Sequence, residues 1–132
     1  EHGSFVLRRL DYEASDGQEV FLSFEDPSTD KLAAFLRLRI PNKTEHWWGV
    51  LRGAALIREL HTYGRHLSLH DRREGALQHR GFGRRLLSEA ERIAREEFGY
   101  SRLAVIAGVG VRDYYRRFGY ALEDTYMVKR IN

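Results

Sequence analysis

The stretch Gln78-His79-Arg80-Gly81-Phe82-Gly83-Arg84-Arg85-Leu86-Leu87 constrains the fold of this chain more than any other. Two glycines, with arginines on both sides, run straight into a segment in which Leu86, Leu87, Ala90, Ile93 and Ala94 recur at helical spacing. A helix that starts near Gly83 presents its unpaired first-turn N–H groups, and the positive end of its dipole, to an anion. Glycine carries no Cβ, so a ligand can approach Gly81 and Gly83 along the backbone. The pattern differs from the nucleoside-triphosphate loop, which needs Gly-x-x-x-x-Gly-Lys and then Ser or Thr. It also lacks the third glycine of the dinucleotide fingerprint.

The 132 residues are expected to form one domain over positions 1–132 with one core, and 42% apolar with 31% charged residues is an ordinary globular composition. There are no cysteines, which excludes disulfides, iron–sulfur clusters and thiolate zinc sites in this chain. No apolar run is long enough to span a bilayer and no signal-peptide pattern opens the chain, so no membrane partner and a cytoplasmic location are expected. The formal charge is only +3, yet Lys31, Lys43 and Lys129 are the sole lysines and the other cations are arginines. Arginine forks bind phosphate in a bidentate way. Arg65, Arg72, Arg73, Arg80, Arg84 and Arg85 gather around the glycines, which points to a nucleotide cofactor or RNA; the competing reading is a solubilising surface. His61, His66, His70, His79 and Asp71 are near in sequence, but their spacing matches no compact metal site, and no metal is expected.

Strands are expected at Phe5–Tyr12 and Glu19–Glu25, with turns at 15–17 and 26–30. From Leu32 to Ile40 the even positions are all apolar while Lys31, Arg37 and Arg39 stand on the odd side, as in a strand with one buried face. Trp47 and Trp48 are placed on a loop over the core. Ala54–His61 reads as a central strand, 62–77 as a loop, and Gly83–Phe98 as a helix with a Glu91–Arg95 pair and Gly99 as its cap. A short strand over Arg102–Ala107, a short helix over Val111–Phe118 stopped by Gly119, and a hairpin of Tyr120–Tyr126 with Met127–Ile131 complete the chain. The order predicts an α+β fold, a mixed and mostly antiparallel sheet flanked by helices.

The order Gln-x-x-Gly-x-Gly followed by a helix resembles the pyrophosphate-binding loop of the GNAT acetyltransferase superfamily. So does Tyr114-Tyr115-Arg116-Arg117-Phe118-Gly119-Tyr120, an aromatic-Tyr-x-x-x-Gly-aromatic string. The resemblance implies a GNAT-like fold with acetyl-coenzyme A as cosubstrate. It assigns Tyr115 as the proton donor to the departing thiolate, with Tyr114 sharing the role or packing on the pantetheine; the bland reading makes both core aromatics. A phenol with a pKa of about 10 is protonated at neutral pH and fits such a role. The strand before the loop would pair its backbone with pantetheine at Leu60, His61 and Thr62. Gln78, His79, Arg80, Gly81, Phe82, Gly83 and Arg84, with Tyr114 and Tyr115, would complete the coenzyme site. Glu59 and His61 are candidate bases; for Glu59 the bland reading is a salt bridge with Arg58 or a loop arginine.

Closer strings are Phe21-Leu22-Ser23-Phe24-Glu25, Phe35-Leu36-Arg37-Leu38-Arg39, Ile57-Arg58-Glu59-Leu60-His61-Thr62-Tyr63-Gly64, and Ala104 to Tyr115. Together they resemble the C-terminal acetyltransferase-like domain of the Elongator catalytic subunit family, which modifies the wobble uridine of tRNA. The resemblance implies a domain excised from a larger enzyme. Its partners would be acetyl-coenzyme A, tRNA at Arg65, Arg72 and Arg73, and a radical S-adenosylmethionine domain of the same protein. S-adenosylmethionine and an iron–sulfur cluster would belong only to that missing domain, because this chain has no cysteine. The domain would hold and hydrolyse acetyl-coenzyme A. The first strand and helices typical of a GNAT fold have no obvious counterpart, which implies an open substrate side. A lysine or small-amine N-acetyltransferase and a non-catalytic RNA-binding module are the alternatives.

Overall fold

Alternation puts Val20, Leu22 and Phe24 on one side of a strand and Ala34, Leu36 and Leu38 on the same side of the next, and all six are fully buried. The computed structural model describes residues 4–15, 17–41, 49–63 and 72–132, with side chains for all of these except 72–80. The strands are β1 (Val6–Ala14), β2 (Gly17–Asp26), β3 (Lys31–Ile40), β4 (Ala54–Thr62), β5 (Arg102–Ile106), β6 (Ala121–Glu123) and β7 (Tyr126–Arg130). The helices are α1 (Arg72–Arg92) and α2 (Arg112–Arg116). One seven-stranded sheet runs β1-β2-β3-β4-β5-β7-β6. Among the described residues only β4 and β5 pair in parallel, as a crossover through α1 requires. The α+β class with a mostly antiparallel sheet is therefore correct.

Leu86, Leu87 and Ala90 of α1, with Ile93 and Ala94 just beyond its end, bury one helical face against the β2–β3–β4 side of the core, and Tyr115 and Tyr120 join the same cluster. Phe82 is also core: its ring stacks on Phe24 at 4.5 Å and meets Phe5 at 5.5 Å. The opposite sheet face carries a small cluster of Ala54, Leu56, Ala104 and Val128 at one end. Beyond it, on the face turned away from the main core, lie Phe21, Phe35, Arg37, Glu59 and His61.

Three expectations change. Helical backbone begins at Arg72, well before Gly83, so part of the expected loop 62–77 is helix and Gly81 and Gly83 lie inside α1. Residues 72–80 hold mostly good helix formers, Gly75 apart, and their summed propensity outweighs the two later glycines. Trp47 and Trp48 lie outside the described residues. The Glu91–Arg95 pair is replaced: Glu91 accepts from the Tyr120 hydroxyl at 2.7 Å and from Lys129 at 3.2 Å, while Arg95 donates to the Ile131 carbonyl and to Glu96. A π turn over Ile93–Glu97 shifts the helical spacing after Glu91, and the chain then leaves through Gly99 at φ +74°. The closing hairpin turns at Asp124, φ 61°, rather than at Tyr126.

Candidate functional site

β4 is the element that shapes the site. It pairs with β5 from Ala54↔Arg102 only as far as Ile57↔Val105. At that point a bulge sets in: Leu38 faces Ile57 while Arg37 faces Glu59, leaving Arg58 as the extra residue. From there to Thr62, β4 follows β3 alone, and Tyr63 N–H extends this pairing to the Ala33 carbonyl at 2.8 Å. A gap thus opens between the ends of β4 and β5, with backbone groups of Arg58–Thr62 along one side.

Three separate stretches meet at its mouth on the helix side. A Cβ built on Gly83 would lie 2.5 Å from Tyr114 Oη and 3.4 Å from Thr62 Cγ2. The glycine stretch, the aromatic motif and the end of β4 are therefore in contact. Tyr114 is half-buried, with the Arg117 guanidinium 5.3 Å from its ring centroid. Burial raises its pKa, and the Arg117 charge opposes that rise. Tyr115 is 5% exposed and packs edge-on to Tyr120 at 5.9 Å. Burial pushes it up to about 12. Both phenols hold their proton at neutral pH, but Tyr114 is the one whose hydroxyl faces Gly83.

Glu59 and His61 stand elsewhere. Side chains alternate along a strand, so Leu60 and Thr62 point to the helix side, where Leu60 packs on the core, while Glu59 and His61 point to the other face. His61 Nε2 lies 3.5 Å from Glu59, and the salt-bridge partner of Glu59 is Arg37 at 3.4 Å. Of the arginines that the bland reading named, Arg58 turns instead to Glu19 at 3.4 Å, and the side chains of the loop arginines lie outside the described residues. The structure groups Tyr114, Gly83 and Thr62 on one face and Glu59 with His61 on the other, with the β4–β5 gap between them.

Arg84 is exposed, and Phe82 offers only its backbone because its ring is in the core. Arg65 lies outside the described residues, as do the side chains of Arg72, Arg73, Gln78, His79 and Arg80, whose backbone forms the first part of α1. One feature escaped the sequence reading: a cleft of about 200 Å³ between α1 and the end of α2, lined by Arg84, Leu87, Ser88, Glu91, Phe118 and Lys129. Lys129, one of only three lysines, was its faint signal. Among the described residues no group of metal-binding side chains gathers, and no helix is long and apolar enough to cross a membrane.

A crossover sheet whose parallel pair separates over a glycine-bearing helix and a tyrosine motif defines a class: the chain belongs to the acetyltransferase (GNAT) family, whose model matches residues 2–120. Within that class it is 53% identical, over 98% of its length, to the tRNA uridine(34) acetyltransferase of Dehalococcoides mccartyi (strain CBDB1), of which it covers 28%. It is 48% identical to the Elongator complex protein 3 of Homo sapiens, over 95% of this chain and 23% of that one. Among solved structures, the archaeal Methanocaldococcus infernus Elp3 matches with a TM-score of 0.80 and 46% identity, over 96% of this chain and 30% of that one. Tetrahymena GCN5, at TM-score 0.59 and 14% identity, shares the fold alone. The chain spans about a quarter of the length of the curated relatives it matches.

Proposed function

We propose that this chain is the acetyl-coenzyme A-binding, acyltransferase-type domain of an enzyme that modifies the wobble uridine of tRNA. The separation of β4 from β5 after Ile57↔Val105, with Gly83, Thr62 and Tyr114 at its mouth, carries this reading. The cosubstrate would supply an activated acetyl group. Backbone groups of Arg58–Thr62 would hold the pantetheine arm as an added strand holds a sheet edge. N–H groups at Gly81–Arg84 would bind the pyrophosphate, and the cleft bearing Arg84, Ser88 and Lys129 lies along the same helix to take the rest of the nucleotide. Tyr114 is the better placed donor for the departing thiolate, and Tyr115 supports it from the core. Glu59 and His61, on the far face of β4, are placed to act on the acceptor side of the gap.

The glycine N–H groups are bonded within α1 in the structure, so binding requires the helix to open ahead of Gly83. Each glycine costs a helix about 1 kcal/mol relative to alanine, which makes this the cheapest place for α1 to open. The tRNA assignment follows the name of the relative from Dehalococcoides mccartyi and the arginine-rich surface. S-adenosylmethionine and iron–sulfur chemistry would sit outside this chain, in a radical domain of the same protein, since no thiolate is present to hold a cluster. A cationic amine acceptor fits less well, because Arg37 already occupies Glu59.

Calorimetric titration with acetyl-coenzyme A tests the reading. Saturable binding with a loss of helical circular dichroism, abolished in Gly83→Val, supports it; no binding at millimolar ligand sinks it. Release of free thiol on adding tRNA should fall about a hundredfold in Tyr114→Phe with binding intact. A fall confined to Tyr115→Phe would move the donor role there.

A further inference from the structure

We propose that the sheet face opposite α1 binds an unpaired RNA strand by stacking bases on Phe21, Phe35, His61 and Tyr63. Directly opposed residues of antiparallel strands share a face, and the pairings Phe21↔Arg37↔Glu59 and Ser23↔Phe35↔His61 build two adjoining rows across β2, β3 and β4. The rings form a continuous patch. Phe21 and Phe35 lie 5.3 Å apart, Phe35 and His61 5.1 Å, and His61 and Tyr63 6.2 Å with only 11° between their planes. Tyr63 is 37% exposed and the His61 side chain 52%.

Arginines interleave these rings. Arg37 stands 5.7 Å from the Phe21 centroid. Arg58, thrown out by the bulge, shares the single carboxylate of Glu19 with buried Arg39. Arg8, beside Glu25, adds a further cation at the edge of the patch.

The occupant follows from the mixture. A protein partner favours an interface core depleted of charge. A duplex hides its bases and needs a stripe of cations that tracks phosphates. Rings on an antiparallel sheet, exposed at His61 and Tyr63, half-buried at Phe21 and Phe35 and bordered by guanidiniums, suit unpaired bases and a phosphate backbone. The patch carries Glu59 and His61, so a strand lying on it would bring a base to the acceptor side of the β4–β5 gap. The inference extends the tRNA reading above, and it is tested without coenzyme, so the two fail separately.

The experiment is fluorescence anisotropy of the full chain with a labelled, unstructured oligouridine of about a dozen nucleotides at fixed salt. Saturable binding is expected, weakened about tenfold in Tyr63→Leu and again in Phe21→Leu, which keep apolar bulk but remove a ring. Arg116→Ala, on exposed α2, should bind as the parent does. Equal affinity in the parent and both ring variants would overturn the proposal. So would equal competition by a blunt duplex of the same length, or no binding, which would hand the face to a protein partner.

Discussion

Gly83 and Tyr114 are packed so closely that a methyl group on the first would sit 2.5 Å from the hydroxyl of the second. Gly83→Ala should therefore cost about 1–3 kcal/mol through overpacking. Tyr114→Phe removes the atom in the way, and thermal denaturation of the double variant should show most of that loss recovered. Gly81 has nothing within 4 Å of a built Cβ, so Gly81→Ala should instead stabilise by about 1 kcal/mol. Equal effects at the two glycines would mean that the contact with Tyr114 does not decide the identity of residue 83.

Glu91 joins α1 to β7 and to the buried Tyr120. Its carboxylate accepts the Tyr120 hydroxyl and faces Lys129. Glu91→Ala leaves that hydroxyl buried without its acceptor and should cost about 2–3 kcal/mol in urea unfolding. Tyr120→Phe in the same background should restore part of the loss, and a strictly additive double-mutant cycle would show that the pair is not coupled.

Arg9 on β1 donates to Glu97 at 2.8 Å and ties the outer hairpin to the end of the helix. Hydrogen bonding from Arg9, supported by Arg92, lowers the Glu97 carboxyl to about 2 against an ordinary value of 4.5. The folded value lies below the unfolded one. The contribution of Glu97 is therefore complete above about pH 4.5 and drains away as the pH falls through about 2. Both side chains are about a third exposed, so the effect is on the order of 1 kcal/mol or less. The stability gap between the parent and Glu97→Gln should be constant near neutrality and should close on acidification. A gap independent of pH would remove Glu97 from the acid response.

What was legible in the sequence was what local rules control. Of the even-numbered apolar residues of 32–40, Ala34, Leu36, Leu38 and Ile40 are buried in the core, while Leu32, beyond a bulge that puts Ala33 there instead, is only half-buried. Leu86 to Ala94 bury one side of a helix, and Gly99 and Gly119 stop their helices at positive φ. The motifs at Gly81–Gly83 and Tyr114–Tyr115 named the family before any contact was known. Tertiary structure decided the rest. Of two adjacent tyrosines with the same chemistry, helix rotation sends Tyr115 into the core and leaves the Tyr114 hydroxyl at Gly83. Glu91 has Arg95 one turn away, yet it bonds across space to Tyr120 and Lys129, because a π turn and the approach of β7 outweigh a local pair of a few tenths of a kcal/mol. The bulge at Arg58 and the end of β4–β5 pairing at Ile57 have no marker in the residues themselves. Sequence periodicity records which side of a strand is apolar; where two strands part company depends on every neighbour in the sheet, and that is information only the assembled fold contains.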